Sequence, residues 1–262
     1  MLRTRRSVPP SYSYTLQLDP PLEAGTAACS TGSLDFPHAR FAPLHYTPGY
    51  AYPLIVWLHG RGSDERQLQR VMPLVSMQNY VAVAPRGIQV TEADDAAQEG
   101  YQWLQSDDHI HQAEQRVFDS VEVAAGKYHI DRRRIFLCGF DVGGTMALRV
   151  AMNRPNRFAG VISLCGAFPA GGTPFGNLIA ARRLGVFLAS GRASNDYPAA
   201  QVCEDLRLLH TAGLSVTLRQ YPCGQELMPQ MLTDVNRWVM EQINPRPVAN
   251  AETDAEWSRE AE

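Results

Sequence analysis

Residues 137–144 read Leu-Cys-Gly-Phe-Asp-Val-Gly-Gly. An apolar, β-rich run enters this stretch and a helical pattern leaves it. Gly139 and Gly143 therefore bracket a sharp strand-to-helix turn with Asp141 at its tip. That is the layout of a nucleophile elbow, Gly-x-Ser-x-Gly, in which a strained backbone lifts a serine hydroxyl above a sheet. Here the glycines are present and the serine is not. A second stretch, Leu58-His59-Gly60-Arg61-Gly62-Ser63-Asp64-Glu65, follows the first buried strand pattern. A loop at this position supplies one backbone donor of an oxyanion hole, and the residue after the nucleophile supplies the other. The candidate donors are the N–H groups of Arg61 and Val142. Gly60 and Gly62 let the backbone approach a ligand closely.

These residues need a scaffold, and the rest of the chain outlines one. Six apolar runs follow one another: Pro53–Leu58, Asn79–Ala84, Arg134–Gly139, Ala159–Leu164, Gly185–Ala189 and Leu214–Tyr221. Continuous apolar runs, rather than alternating ones, suit a parallel sheet covered on both faces. Helical patterns fall between them at Glu65–Met77, His111–Tyr128, Gly143–Asn153, Ala199–Thr211 and Pro229–Ile243. Ser63 and Asp64 are good cap types for the first of these. The alternation predicts an α/β fold, a mostly parallel twisted sheet with right-handed crossovers and helices on both faces. The chain divides into an N-terminal segment, 1–52, a main domain, 53–243, and a polar, acidic tail, 244–262, expected to be disordered. Within the first segment, Ser13–Leu18 and Ala39–Tyr46 are candidate edge strands.

The chain of 262 residues is 45% apolar and 19% charged, ordinary for a globular protein with a sizeable core. Its formal net charge of -3 gives no reason to expect nucleic acid or an anionic membrane surface as a partner. No run reaches the roughly 18 apolar residues of a membrane span. No apolar run follows Arg3, Arg5 and Arg6, so a secretory signal is not expected there. The five cysteines, Cys29, Cys138, Cys165, Cys203 and Cys223, are odd in number and lack CxxC spacing. A reduced, cytoplasmic protein is the simplest expectation.

Trp57 to Glu65, with Gly139-Phe140-Asp141-Val142-Gly143-Gly144, resembles the phospholipase/carboxylesterase family of α/β-hydrolases, which includes bacterial carboxylesterases and acyl-protein thioesterases. Gly100-Tyr101-Gln102-Trp103, Ala147-Leu148 and Phe158–Leu164 with Gly166 fit the same pattern. The resemblance covers roughly residues 53–243 and implies the α/β-hydrolase fold. The family elbow reads Gly-Phe-Ser-Gln-Gly-Gly. Its acid follows the next strand in a His-Gly-x-x-Asp-x-x-Val-Pro segment, and its base lies in a Gly-His-Glu sequence. This chain reads Ser190-Gly191-Arg192-Ala193-Ser194-Asn195-Asp196-Tyr197-Pro198 and Gly224-Gln225-Glu226 at those places. The resemblance thus implies that Asp141, Ser194 and Gln225 occupy the positions of the catalytic Ser, Asp and His.

Glutamine accepts no proton near neutral pH, and Ser194 carries no charge to stabilise an imidazolium. The expectation is a catalytically inactive relative that retains a pocket for an unidentified small-molecule ligand or protein partner, with no cofactor and no metal. The alternative is an active, serine-independent hydrolase of small esters or thioesters. In one form of it Asp141 attacks directly, as the elbow aspartate of dehalogenases and epoxide hydrolases does. Cys223 as a thiol nucleophile, His59 as a substitute base and Asp196 as a displaced acid are its other resources. Asp107, Asp108, His109 and His111 form a cluster that reads either as a solvated helix start or as metal ligands. Asp141 itself is expected to fill its own oxyanion hole. A carboxylate there would accept charge-assisted hydrogen bonds from Arg61 and Val142, each worth roughly 1.5–3 kcal/mol, and gain from the helix dipole.

Overall fold

A computed structural model describes residues 36–90, 100–171 and 175–244. The candidate strand Ser13–Leu18 and nearly all of the acidic tail lie outside these residues. Among these described residues, nine strands form in chain order: β1 (His38–Phe41), β2 (Tyr52–Leu58), β3 (Val81–Pro85), β4 (Ile88–Val90), β5 (Gly100–Gln102), β6 (Ile130–Phe140), β7 (Gly160–Leu164), β8 (Gly185–Gly191) and β9 (Ser215–Tyr221). Six helices accompany them: α1 (Gln67–Val75), α2 (Asp107–Lys127), α3 (Val142–Asn153), α4 (Leu178–Ala181), α5 (Ala199–Thr211) and α6 (Pro229–Ile243).

The main sheet has seven strands in the order β1-β3-β2-β6-β7-β8-β9. All neighbours run parallel except β1, which pairs antiparallel with β3 at one edge. Alternation along the central strands divides the core in two. Leu54, Val56 and Leu58 of β2 pack with Val117 and Val121 of α2 and with Met146 and Val150 of α3. Ile55 and Trp57 point the other way, to Leu68 and Met72 of α1 and Leu232, Val235 and Trp238 of α6. Side chains alternate across a strand, so a run without polar residues is filled on both faces only where helices cover both.

Several boundaries differ from the sequence reading. The helix α1 starts at Gln67 rather than Glu65, because the Asp64 carboxylate closes a turn by accepting from the Arg66 N–H at 2.9 Å, one turn before the helix. The helix α2 begins four residues early, at Asp107, with Ser106 as its N-cap. The candidate edge strand over Ala39–Tyr46 is instead His38–Phe41, so part of the 1–52 segment belongs to the main sheet. The ribbon of β4 and β5 was not anticipated, since three-residue strands carry no readable periodicity. No described helix is long and apolar enough to cross a membrane.

Candidate functional site

The elbow joins β6 to α3, and its conformation follows from crowding. A Cβ on Gly139 would lie 2.2 Å from the Gly143 carbonyl oxygen, and one on Gly143 would lie 2.3 Å from that of Leu58. Only glycine fits at either place. The residue between them, Asp141, adopts φ 52° and ψ −125°, in the left-handed half of backbone space that L-residues rarely enter. The turn is held by Asp141 N–H to the Leu164 carbonyl at 2.8 Å and by Gly144 N–H to the Asp141 carbonyl at 2.9 Å. Strain of this kind persists where surrounding structure over-determines it.

The Asp141 side chain is 15% exposed and both of its oxygens are engaged. Oδ2 accepts from the Arg61 N–H at 3.2 Å, with the Arg61 Nε 3.8 Å away. Oδ1 accepts from Gln225 Nε2 at 3.1 Å. The expected bond from the Val142 N–H does not form, and the carboxylate does not cap α3. Reaching Gln225 turns the second oxygen away from the helix.

Gln225 is held at every hydrogen-bonding atom type. Besides Asp141, its Nε2 donates to the Cys165 carbonyl at 2.7 Å, and its Oε1 accepts from Ser194 Oγ at 2.7 Å. Ser194 Oγ in turn accepts from the Tyr197 N–H at 3.0 Å. The donor–acceptor directions are thus unambiguous, because backbone N–H groups only donate and backbone carbonyls only accept. Three loops, after β6, β8 and β9, bring Asp141, Ser194 and Gln225 into one hydrogen-bonded chain. The sequence reading missed Cys165, which turns at φ 56° directly after β7 and presents its carbonyl to Gln225. It also missed Asp205 of α5, a buried carboxylate that accepts from Tyr197 O–H at 2.8 Å and from the Phe168 N–H at 2.7 Å. Neither carries a local sequence signal, since their partners lie on other loops.

The other candidates stand elsewhere or are fully occupied. The His59 ring is buried with no exposure, its Nδ1 donating to the Gly60 carbonyl at 2.9 Å and its Nε2 accepting from the Gly87 N–H at 2.9 Å. Burial also lowers its pKa. This histidine is a strut between two loops, and neither ring nitrogen has a lone pair to offer as a base. Cys223 is buried and desolvation raises its pKa, so it carries a thiol rather than the reactive thiolate. Asp196 is exposed and takes no part in the hydrogen bonds that link Asp141, Gln225 and Ser194. His109 Nδ1 lies 2.6 Å from Ser106 Oγ in the first turn of α2. Among the described residues, no group of three or more His, Cys, Asp or Glu gathers as metal ligands.

The loop that carries Arg61 is tied down from several sides. Gln67 Oε1 accepts from the Gly60 N–H at 3.3 Å and from Trp57 Nε1 at 2.8 Å. Gly62 N–H donates to the Tyr101 carbonyl at 3.1 Å, and Trp103 Nε1 donates to the His59 carbonyl at 3.1 Å. A bidentate pair of Arg86 with the buried Glu65, at 2.5 and 2.6 Å, anchors its far end. Here the short ribbon of β4 and β5 has its structural role: it carries Tyr101 and leads directly into Trp103.

The profile of Phospholipase/Carboxylesterase proteins matches residues 49–243. "Putative esterase NocK" of Nocardia uniformis subsp. tsuyamanensis is 31% identical over 133 residues, 48% of this chain and 38% of that protein. The match therefore spans well under half the length of that relative. The carboxylesterase of Bacillus cereus superposes with a TM-score of 0.63 at 19% identity, covering 79% of this chain and 95% of that one. Acyl-protein thioesterase 2 of Zea mays gives a TM-score of 0.63 at 16% identity, covering 79% and 99%. At these identities the structures share the fold alone.

Proposed function

The chain belongs to the phospholipase/carboxylesterase family of α/β-hydrolases, and from that premise we propose that it is a member that no longer hydrolyses esters and uses the elbow site to bind a small ligand or a protein partner. One observation carries this reading. The amide of Gln225, at the position that the family gives to its base, is bound between Asp141, the Cys165 carbonyl and Ser194 and has no proton-accepting atom to spare. Nucleophilic catalysis at an elbow needs a neighbour that takes a proton or activates water. His59, the histidine of the adjacent loop, has both ring nitrogens bound to backbone. The Arg61 N–H, a donor aimed at an oxyanion in the family plan, is already spent on Asp141. A substrate carbonyl would have to displace a carboxylate to reach it.

Cytoplasmic residence is part of the same proposal, supported by the free thiols of Cys138, Cys165, Cys203 and Cys223. A second reading has one observation in its favour. Asp141 holds the strained nucleophile conformation, so direct carboxylate attack is the form that residual hydrolysis would take. The deciding experiment is hydrolysis of short-chain nitrophenyl esters by the purified protein and by Asp141→Ala. The expected result is no turnover in either. Turnover in the unmodified protein that disappears in Asp141→Ala would replace this proposal with the second reading.

A further inference from the structure

The hydrogen-bonding polarity of the elbow site is reversed. An esterase elbow offers donors to a carbonyl oxygen. Here the Arg61 backbone N–H and the Gln225 Nε2 protons are consumed internally, and of the two backbone donors of the family plan the Val142 N–H is left over, beside the Arg61 guanidinium. Each Asp141 oxygen uses one lone pair on these contacts and keeps another for a ligand, because a carboxylate has about four acceptor sites. Nearby charge points the same way. Asp141 and Glu226 both lie near enough to the Cys165 thiol to help raise its pKa, beyond the larger effect of burial. Among the described residues, Arg61 is the one cation paired with the Asp141 carboxylate, and at 38% exposure its guanidinium is partly screened by water.

We propose that the elbow site binds a primary ammonium group, with the Asp141 carboxylate as its counter-ion and the half-buried Val142, Leu227 and Met228, which flank Asp141 and Gln225 in the chain, beside its alkyl part. This rests on the non-catalytic reading above and names the ligand chemistry of the same site. An anionic ligand would set its charge against Asp141, whose Oδ2 already occupies the Arg61 donor. An ammonium brings three donors to a site with lone pairs to fill.

The test is calorimetric titration of the full chain with n-butylammonium and, separately, with n-butyrate. Saturable binding of n-butylammonium is expected, with butyrate binding at least about tenfold weaker. Asp141→Asn should weaken the amine by roughly tenfold or more, as expected when a hydrogen bond to a charged group is lost. Arg61→Gln, at an exposed position, should tighten it by removing the competing cation. Butyrate binding as well as the amine, an unchanged amine affinity in a folded Asp141→Asn, weaker amine binding in Arg61→Gln, or no amine binding at all would each overturn the inference. Ester turnover measured on the same preparations reports separately on the non-catalytic reading. An amine that fails to bind an inactive protein sinks the ligand and leaves that reading standing.

Discussion

Asp141 and His59 sit at the C-terminal ends of the adjacent strands β6 and β2, and they illustrate what burial does to polar side chains. The carboxylate stays partly exposed and collects donors from two loops. The imidazole is wholly buried, and both nitrogens answer backbone groups. Protonating it would put a second donor against the Gly87 N–H in a desolvated place. Its pKa accordingly falls below the ordinary 6.5, chiefly through burial. The sign of the stability effect follows. Below about pH 6.5 the unfolded chain binds a proton that the folded chain does not, so folding stability falls with pH until the lowered folded value is passed. Buried His38, also shifted down, acts in the same direction. Thermal denaturation should therefore show a lower Tm at about pH 5.5 than at about pH 7.5. In His59→Gln the drop should be smaller, and an equal drop would place the effect on other groups.

At the level of elements, the elbow is a contact between the start of α3 and the end of β2. Gly143→Ala tests it, because two effects of opposite sign compete there. Alanine in place of glycine in a helix gains about 1 kcal/mol. Against this, the new Cβ would lie 2.3 Å from the Leu58 oxygen and 2.4 Å from the His59 oxygen, both backbone atoms at the C-terminal end of β2. Neither can withdraw without moving β2. The clash wins, and urea denaturation should show a net loss of at least about 2 kcal/mol. A neutral or stabilising result would mean that the elbow has more room than its geometry indicates. The same contact explains why the His-Gly loop is so heavily tied. The ribbon of β4 and β5, the Gln67 amide and the pair of Glu65 with Arg86 hold it against α3, and Arg61 reaches Asp141 as a result.

Across the whole molecule, the site exists because three crossovers deliver loops after β6, β8 and β9 to one edge of a parallel sheet, where α/β folds place their ligands. That arrangement predicts how function responds to substitution. Asp141→Ser with Ser194→Asp and Gln225→His should restore ester hydrolysis, with single and double variants inactive. The gain in nitrophenyl ester turnover should reach about a hundredfold over background, the lower range of what a positioned general base contributes. A folded triple variant without turnover would show that the pocket has diverged beyond these three residues. The sequence by itself determined the strand–helix rhythm, the mostly parallel sheet and the position of the elbow, because apolar runs and glycine spacing are local signals with local physical causes. The resemblance to the family pattern, rather than any local spacing, pointed to Asp141, Ser194 and Gln225 as the places of its Ser, Asp and His. Other things were decided only in three dimensions. Oδ1 of Asp141 turns to Gln225 rather than to the Val142 N–H, the Cys165 carbonyl holds the Gln225 amide, and the His59 ring is spent on the Gly87 backbone. Each of these depends on which of several nearby groups a polar atom meets, and those groups come from segments that are distant in the chain.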